Sequence, residues 1–328
     1  MSPAPSNPRI RLSPRARRHL INLLRVAVSL GLLAALIAGA GSQNLLDLFR
    51  RVNVGLYALA FGISTLTMIL RAARWKIILD AMGARVSFRR AVYLNYVGAF
   101  FNIFLPTGLG GDVVRVLEIG PGATAQQATG AVFVDRIAGF LVMFGLALIT
   151  LPFIAPLLPP LATLLIALMA LGAIAASALL FEGRLLRRLM SRLPRVLSLA
   201  GDTWLGETYS FITACGWKAL AQAMSLSGLY TLVVVAAQTV AAYALGLDVP
   251  AWAVAVFLPV ITATLLVPLS INGIGIRDST VVALYAQVGL SGTQALGLSL
   301  AWFALEVLDG LAGGLMYVAA GMLGFRKT

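Results

Sequence analysis

Long apolar runs, broken by short polar or basic stretches, divide this chain into helices of two lengths. The pattern predicts a first span over residues 20–40, a short outer loop containing Arg50 and Arg51, and a returning span over 54–75. That span closes on Arg71, Arg74, Trp75 and Lys76, with Trp75 read as an interfacial anchor. Residues 77–90 stay near the cytoplasmic surface, and 91–105 then enter the membrane. Fifteen helical residues reach about 22 Å, short of a hydrocarbon core of about 30 Å. A break at Pro106–Gly111 and a short helix at 112–120 complete a re-entrant hairpin. Residues 126–151 span outward, a turn carrying Pro152, Pro156, Pro159 and Pro160 follows, and 161–181 span inward. The stretch 184–220 begins with Leu185, Leu186, Leu189, Met190 and Leu193 on one face and Arg184, Arg187, Arg188 and Arg192 on the rest. Both an interfacial helix and a solvated linker helix fit that pattern. Residues 221–245 span outward; 251–268, a second break and a helix at about 277–289 follow; 293–323 span inward. Segment 251–268 fits either a full crossing or a second half-length arm. The expected fold is all-α: a polytopic bundle of about six full spans and two re-entrant broken-helix hairpins.

The two breaks read Pro106-Thr107-Gly108-Leu109-Gly110-Gly111-Asp112, with Arg115 close behind, and Pro268-Leu269-Ser270-Ile271-Asn272-Gly273-Ile274-Gly275-Ile276-Arg277-Asp278. Helix breakers and charges survive at membrane depth only where protein or a cavity surrounds them. After each break comes a span with one shared pattern, Asp-x-(Ile/Leu)-Ala-Gly-x-Leu, beginning at Asp135 and at Asp309. Ala, Gly and Leu are common in membrane helices, so the match gains weight only from its place after a break. The distribution of basic residues opens the first hairpin to the cytoplasm and the second to the outside. Residues 54–151 and 221–323 are therefore expected to be inverted repeats, joined through the basic linker at 184–220 and preceded by a disordered basic tail at 1–19.

Composition fixes the class. Hydrophobic residues make up 60% of the 328 and charged residues only 11%, where a soluble domain carries about a quarter charged. One soluble core cannot bury so many long apolar helices. The net charge of +13 would suit nucleic acid, but the basic residues gather at 9–25, 71–90, 184–218 and 326–327. Spacing of that kind marks cytoplasmic segments, with both termini inside and no nucleic-acid partner. A single cysteine, Cys215, and a single histidine, His19, exclude a disulfide, a zinc cluster and a Cys/His pair. No cofactor, metal or nucleotide-binding signature is expected. The first apolar run is too long for a signal-peptide core and reads as a retained span.

Ionisable residues in or beside the embedded segments are Asp112, Arg115, Glu118, Asp135, Arg136, Arg277, Asp278, Glu306 and Asp309. Each costs about 2.5–3.5 kcal/mol at a helix centre, so they must pair or face water. Asp112 and Arg115 share a face; Arg277 and Asp278 are adjacent and expected to point apart, each with its own partner. Glu306, Asp309, Gly310 and Gly313 form one stripe, as do Asp135 and Gly139, and the glycines admit a close neighbour. Arg115 and Arg277 are therefore expected to face Asp135, Glu306 and Asp309. Free N–H groups at about 111–114 and 276–279 favour an anion. With Gly108, Gly110, Gly111, Gly273 and Gly275 allowing close approach, and Asn102 and Asn272 as donors, the set describes a phosphate-headgroup site centred on Arg115 and Arg277. Asp112, Asp135, Arg136, Asp278, Glu306 and Asp309 are then charge partners or proton-coupling groups. The alternative is that the charges only pair to hold the hairpins, with Asp112 and Asp278 satisfying the helix N-termini. Asn95 is a further candidate for bonding exposed backbone.

The stretch Phe100-Phe101-Asn102-Ile103-Phe104-Leu105-Pro106-Thr107-Gly108-Leu109-Gly110-Gly111-Asp112-Val113-Val114-Arg115 resembles the flippase-like transmembrane domain of the lysylphosphatidylglycerol synthase family. The resemblance continues at Val134-Asp135-Arg136-Ile137-Ala138-Gly139, at Asn272–Asp278 and in the Gly-rich last span, covering about 20–323. Where that family often carries Glu after the second arginine, this chain has Asp278. The resemblance implies a lipid-translocating domain. The chain is expected to lack the aminoacyl-transferase domain and not to synthesise the lipid. It implies an inner-membrane lipid flippase for a phospholipid, a polyprenyl-phosphate-type lipid or a hopanoid-related lipid, in which a homo-oligomer or a synthase partner is compatible. The rival readings are an intramembrane lipid-phosphate transferase and a non-catalytic lipid-binding partner of a synthase.

Overall fold

A computed structural model describes residues 14–104, 110–157, 159–182, 203–265 and 273–322. Among these residues the chain forms twelve α-helices and no strand. In chain order they are α1 (Pro14–Ala40), α2 (Ser42–Arg50), α3 (Val54–Ala81), α4 (Phe88–Phe104), α5 (Gly110–Leu117), α6 (Ala125–Ile154), α7 (Pro160–Glu182), α8 (Trp204–Ala214), α9 (Gly216–Ala244), α10 (Ala251–Leu265), α11 (Ile276–Ala286) and α12 (Gly292–Met322). Five helices are long and apolar enough to cross a bilayer, α3, α6, α7, α9 and α12; α1 and α2 make a sixth if taken as one bent span. The chain is a multi-pass helical membrane protein.

Two expectations change. The segment holding Arg50 is not a loop but α2, which leaves α1 through an 80° bend at Gly41, whose φ is +80°. Leu45 is buried against Leu296, and Leu48 packs onto Gly297, so apolar residues on one face hold α2 to α12. Second, α3 continues to Ala81, so Arg71 and Arg74 lie within a helix rather than at its end. The described part of segment 251–268 is α10, 15 residues; residues 266–272, which decide between a full crossing and a half-length arm, lie outside the described residues. The basic face expected at 184–193 lies outside the described residues.

Interlocking glycines set how closely the helices approach. A Cβ on Gly313 would strike the Tyr96 carbonyl, one on Gly314 the Phe100 ring, and one on Gly310 the Ile103 side chain. The stripe on α12 therefore lies directly on α4. Within the first hairpin, Gly111 fits against the Gly98 carbonyl in the same way, and Asn102 Oδ1 accepts the Gly111 N–H at 2.8 Å. Small residues in membrane helices exchange side-chain volume for backbone contact. α9 lies along α3, and α6 crosses both. Outside, the pattern of a soluble protein is inverted: Leu164, Leu168, Leu171, Leu232 and Leu315 are exposed, while Asp112, Arg115, Asp135, Arg277, Asp278 and Asp309 are buried.

Replacing Gly313 with leucine is expected to lower the melting temperature in detergent by several degrees, because overpacking costs about 1–3 kcal/mol. Gly172→Leu, where a Cβ meets nothing within 4 Å, should leave it unchanged. Equal melting of both variants would contradict the α4–α12 contact.

Candidate functional site

The first charged cluster forms where α5 enters between α3 and α6. Asp112 and Arg115 share a face of α5, and Arg115 Nη1 donates to Asp112 Oδ1 at 3.1 Å. Both terminal nitrogens of Arg115 donate to Asp135 Oδ2 at 3.4 Å. The other oxygen of Asp135 accepts from Arg74 Nε at 2.6 Å, and Arg74 Nη1 donates to Ser227 Oγ on α9 at 2.8 Å. Arg136 Nε donates to Asp112 Oδ2 at 2.5 Å. The result is a chain of alternating sign, Arg74–Asp135–Arg115–Asp112–Arg136, in which three cations meet two anions. The Arg115 guanidinium also lies 4.2 Å from the centre of the Trp75 ring, a cation–π contact.

Two readings are corrected here. Trp75 is fully buried; it is a platform beneath Arg115, not an interfacial anchor. Arg74 is buried and belongs to the cluster rather than to the cytoplasmic charge pattern. Arg71, one turn earlier and half-buried, acts electrostatically on Arg115, Asp135, Glu306 and Asp309. Among the described residues it forms no ion pair.

The second cluster is built differently. Gly273 and Gly275 have φ of +74° and +86°, conformations glycine adopts at little cost. Gly275 also admits Leu32 of α1, which a Cβ would strike. Asp278 Oδ2 accepts the Gly275 N–H at 2.8 Å, and Oδ1 accepts from Ser299 at 2.5 Å and from Arg277 Nη2 at 3.1 Å. Arg277 and Asp278 thus pair with each other instead of pointing apart. Asp278 folds back to cap its own helix, which brings its second oxygen under the neighbouring guanidinium. Arg277 lies 4.9 Å from the Phe303 ring centre and 3.9 Å from Glu306 Oε2. The Glu306 side chain is 68% exposed, unlike the buried Arg277 and Asp278 beside it. Asp309 is 1% exposed. Ser64 Oγ donates to its Oδ2 at 2.6 Å, and its Oδ1 has no partner.

The expected set is therefore brought together in part. Arg115 meets Asp135 and Arg277 approaches Glu306, but Asp309 pairs with neither arginine. Gly110 and Gly111 open α5, and Gly273 and Gly275 directly precede α11; Gly108 and Asn272 lie outside the described residues. Asn95 bonds its own helix through the Ala91 carbonyl. Glu118 stands at the far end of α5, where its carbonyl accepts from Arg90. Ser64, Arg71, Arg74, Trp75 and Ser227 were not expected at the site. The length of α3 was the available signal, since a helix running on to Ala81 moves Arg71 and Arg74 inward. No group of three or more potential metal ligands occurs among the described residues. A cleft of about 770 Å³ lies apart from both clusters, between α4, the α5–α6 turn and α12, lined by Arg85, Arg90, Tyr93, Gly120 and Met316.

The family model for the lysylphosphatidylglycerol synthase TM region matches residues 22–313. No curated protein matches the chain.

Asp135→Ala would leave Arg74 and Arg115 buried without their shared anion. Breaking a buried pair in this way costs about 3–5 kcal/mol, so the variant should lose much of its folded population in a detergent melt. Glu306→Gln, at an exposed side chain, should change stability by under about 1 kcal/mol. The reverse order would contradict the division between a closed first cluster and an open second one.

Proposed function

The chain belongs to the lysylphosphatidylglycerol synthase TM region family, and from that premise we propose that it translocates a phosphate-bearing lipid across the inner membrane, with both termini in the cytoplasm. The observation that carries the reading is Arg277 beside Glu306. A buried guanidinium has one close carboxylate, Asp278, and a second at 3.9 Å, Glu306, whose side chain is exposed; the polar groove of this reading runs past that exposed side chain. A loosely held guanidinium can exchange a carboxylate for a phosphate, whose oxygens match its fork of donors.

The two arginines divide the work. Arg115 is committed to two carboxylates and to Trp75; it holds the first hairpin in position. Arg277 receives the headgroup, with Glu306 as the partner it gives up. The acyl chains stay in lipid beside the exposed leucines while the headgroup follows the groove. Burial pushes the Cys215 thiol up to about 11, which disfavours the thiolate at neutral pH.

The test is leaflet accessibility of labelled phospholipids in proteoliposomes. Wild type should move label faster than empty vesicles and return it chemically unchanged. Arg277→Ala should slow transfer about tenfold, equivalent to about 1.4 kcal/mol, and Arg277→Lys should recover part of the rate. Equal transfer by wild type and Arg277→Ala, or by wild type and empty vesicles, would overturn the reading. A chemically altered lipid would point to a transferase instead.

A further inference from the structure

Asp135 and Asp309 open the same Asp-x-(Ile/Leu)-Ala-Gly-x-Leu pattern on α6 and α12, yet their surroundings differ. Asp135 has an arginine on each oxygen. Asp309 is as deeply buried, but among the described residues its carboxylate hydrogen-bonds only the Ser64 hydroxyl, and its other oxygen has no hydrogen-bond partner. A buried carboxylate anion with no cation in contact is expensive, and the ordinary remedy is to take up a proton. The 2.6 Å contact serves either direction: Ser64 donates to the anion, and the protonated acid donates through Oδ2 to Ser64.

Two neighbours give that proton a route and a consequence. Glu306 lies three residues before Asp309 on the same face of α12, and its side chain is exposed. A proton arriving at that exposed carboxylate is one turn from Asp309. Arg71 lies two turns beyond Ser64 on the same face of α3, the face that reaches Asp309, within electrostatic range of Asp309 and Glu306. Among the described residues it forms no ion pair, so it is a cation not yet committed to a partner. Other ionisable groups near Asp309 are Tyr96 of α4, and Arg277 and Asp278 of α11, which reach Glu306. The described side chains of α1 carry no ionisable group. On α2, Asp47 and Arg50 are exposed and paired with each other. On α9, Tyr230 lies under Arg74 and Tyr243 faces outward.

We propose that Asp309 is the proton site that couples lipid translocation to a proton gradient, with Arg71 shared between the Asp309 carboxylate and the headgroup phosphate. Proton uptake neutralises Asp309 and leaves Arg71 free for phosphate. Proton release to the groove restores the carboxylate, which takes Arg71 and displaces the phosphate. One proton and one anionic headgroup therefore move together. The coupling rests on the translocation reading, whereas the proton site itself can be measured without any lipid movement.

Two measurements test the proposal in reconstituted protein. Infrared spectra near neutral pH should show the C=O stretch of a protonated carboxyl, lost in Asp309→Asn. Should that variant not fold, Ser64→Ala should shift the same band by removing its hydrogen-bond partner. A band that Asp309→Asn leaves intact, an unshifted band in Ser64→Ala, or no band in wild type overturns the proton site. In the second measurement, an imposed pH gradient should speed transfer of a labelled anionic phospholipid several-fold in wild type, and have no effect in Asp309→Asn or Arg71→Ala. Transfer that ignores the pH gradient, or follows a sodium gradient instead, overturns the coupling while leaving translocation standing. No transfer in wild type under any gradient overturns translocation and its coupling together, and the infrared band still decides the site.

Discussion

A carboxylate held between two guanidiniums in a dry apolar bundle is the interaction on which the rest of this structure depends. Asp135 joins Arg74 of α3 to Arg115 of α5, and Arg74 carries the link on to Ser227 of α9. Charges at this depth are tolerated only when matched, since each costs several kcal/mol alone. Four helices are thereby fixed relative to one another by charge. Between lipid-facing helices packing must do the same work without a hydrophobic drive. Glycines serve that need: Gly98 and Gly111 close the first hairpin, and Gly310, Gly313 and Gly314 bring α12 onto α4.

Against that closed cluster, the second half of the chain is looser. Asp278 spends its oxygens on the Gly275 N–H, Ser299 and Arg277. Glu306 stands open and Asp309 has an unpartnered oxygen. A moving part must be drawn from the less stable end of a structure. A fixed cluster beside an adjustable one is an arrangement suited to passing a polar headgroup through an apolar wall. Arg71, acting on groups of both, is where a change in one would be felt by the other.

Much of the fold was legible in the sequence because the bilayer constrains it so strongly. Long apolar runs gave the spans, since irregular backbone at membrane depth has few alternatives, while the Pro- and Gly-rich breaks lie largely outside the described residues. The pairs Asp112–Arg115 and Arg115–Asp135 followed from spacing and from the cost of unpaired charge. Arg71, Arg74 and Trp75 did not, because a basic run after an apolar one carries the same signature whether it ends a span or continues inside it. Only the true length of α3 separates the two cases. The Arg277–Asp278 pair was hidden for another reason: side-chain direction at a helix start depends on the cap, and Asp278 turns back to Gly275. Ser64 and Ser227 carry no pattern at all; each is defined by the charge opposite.

The difference in water access between the two clusters tests this account most directly. In a Cys215→Ser background, a single cysteine would be placed at Glu306 or at Ala138, which is fully buried one turn from Asp135. Each would be exposed to a membrane-impermeant thiol reagent in vesicles. The account predicts rapid modification at position 306 and none at 138. Equal labelling of both, or labelling at 138 alone, would contradict it.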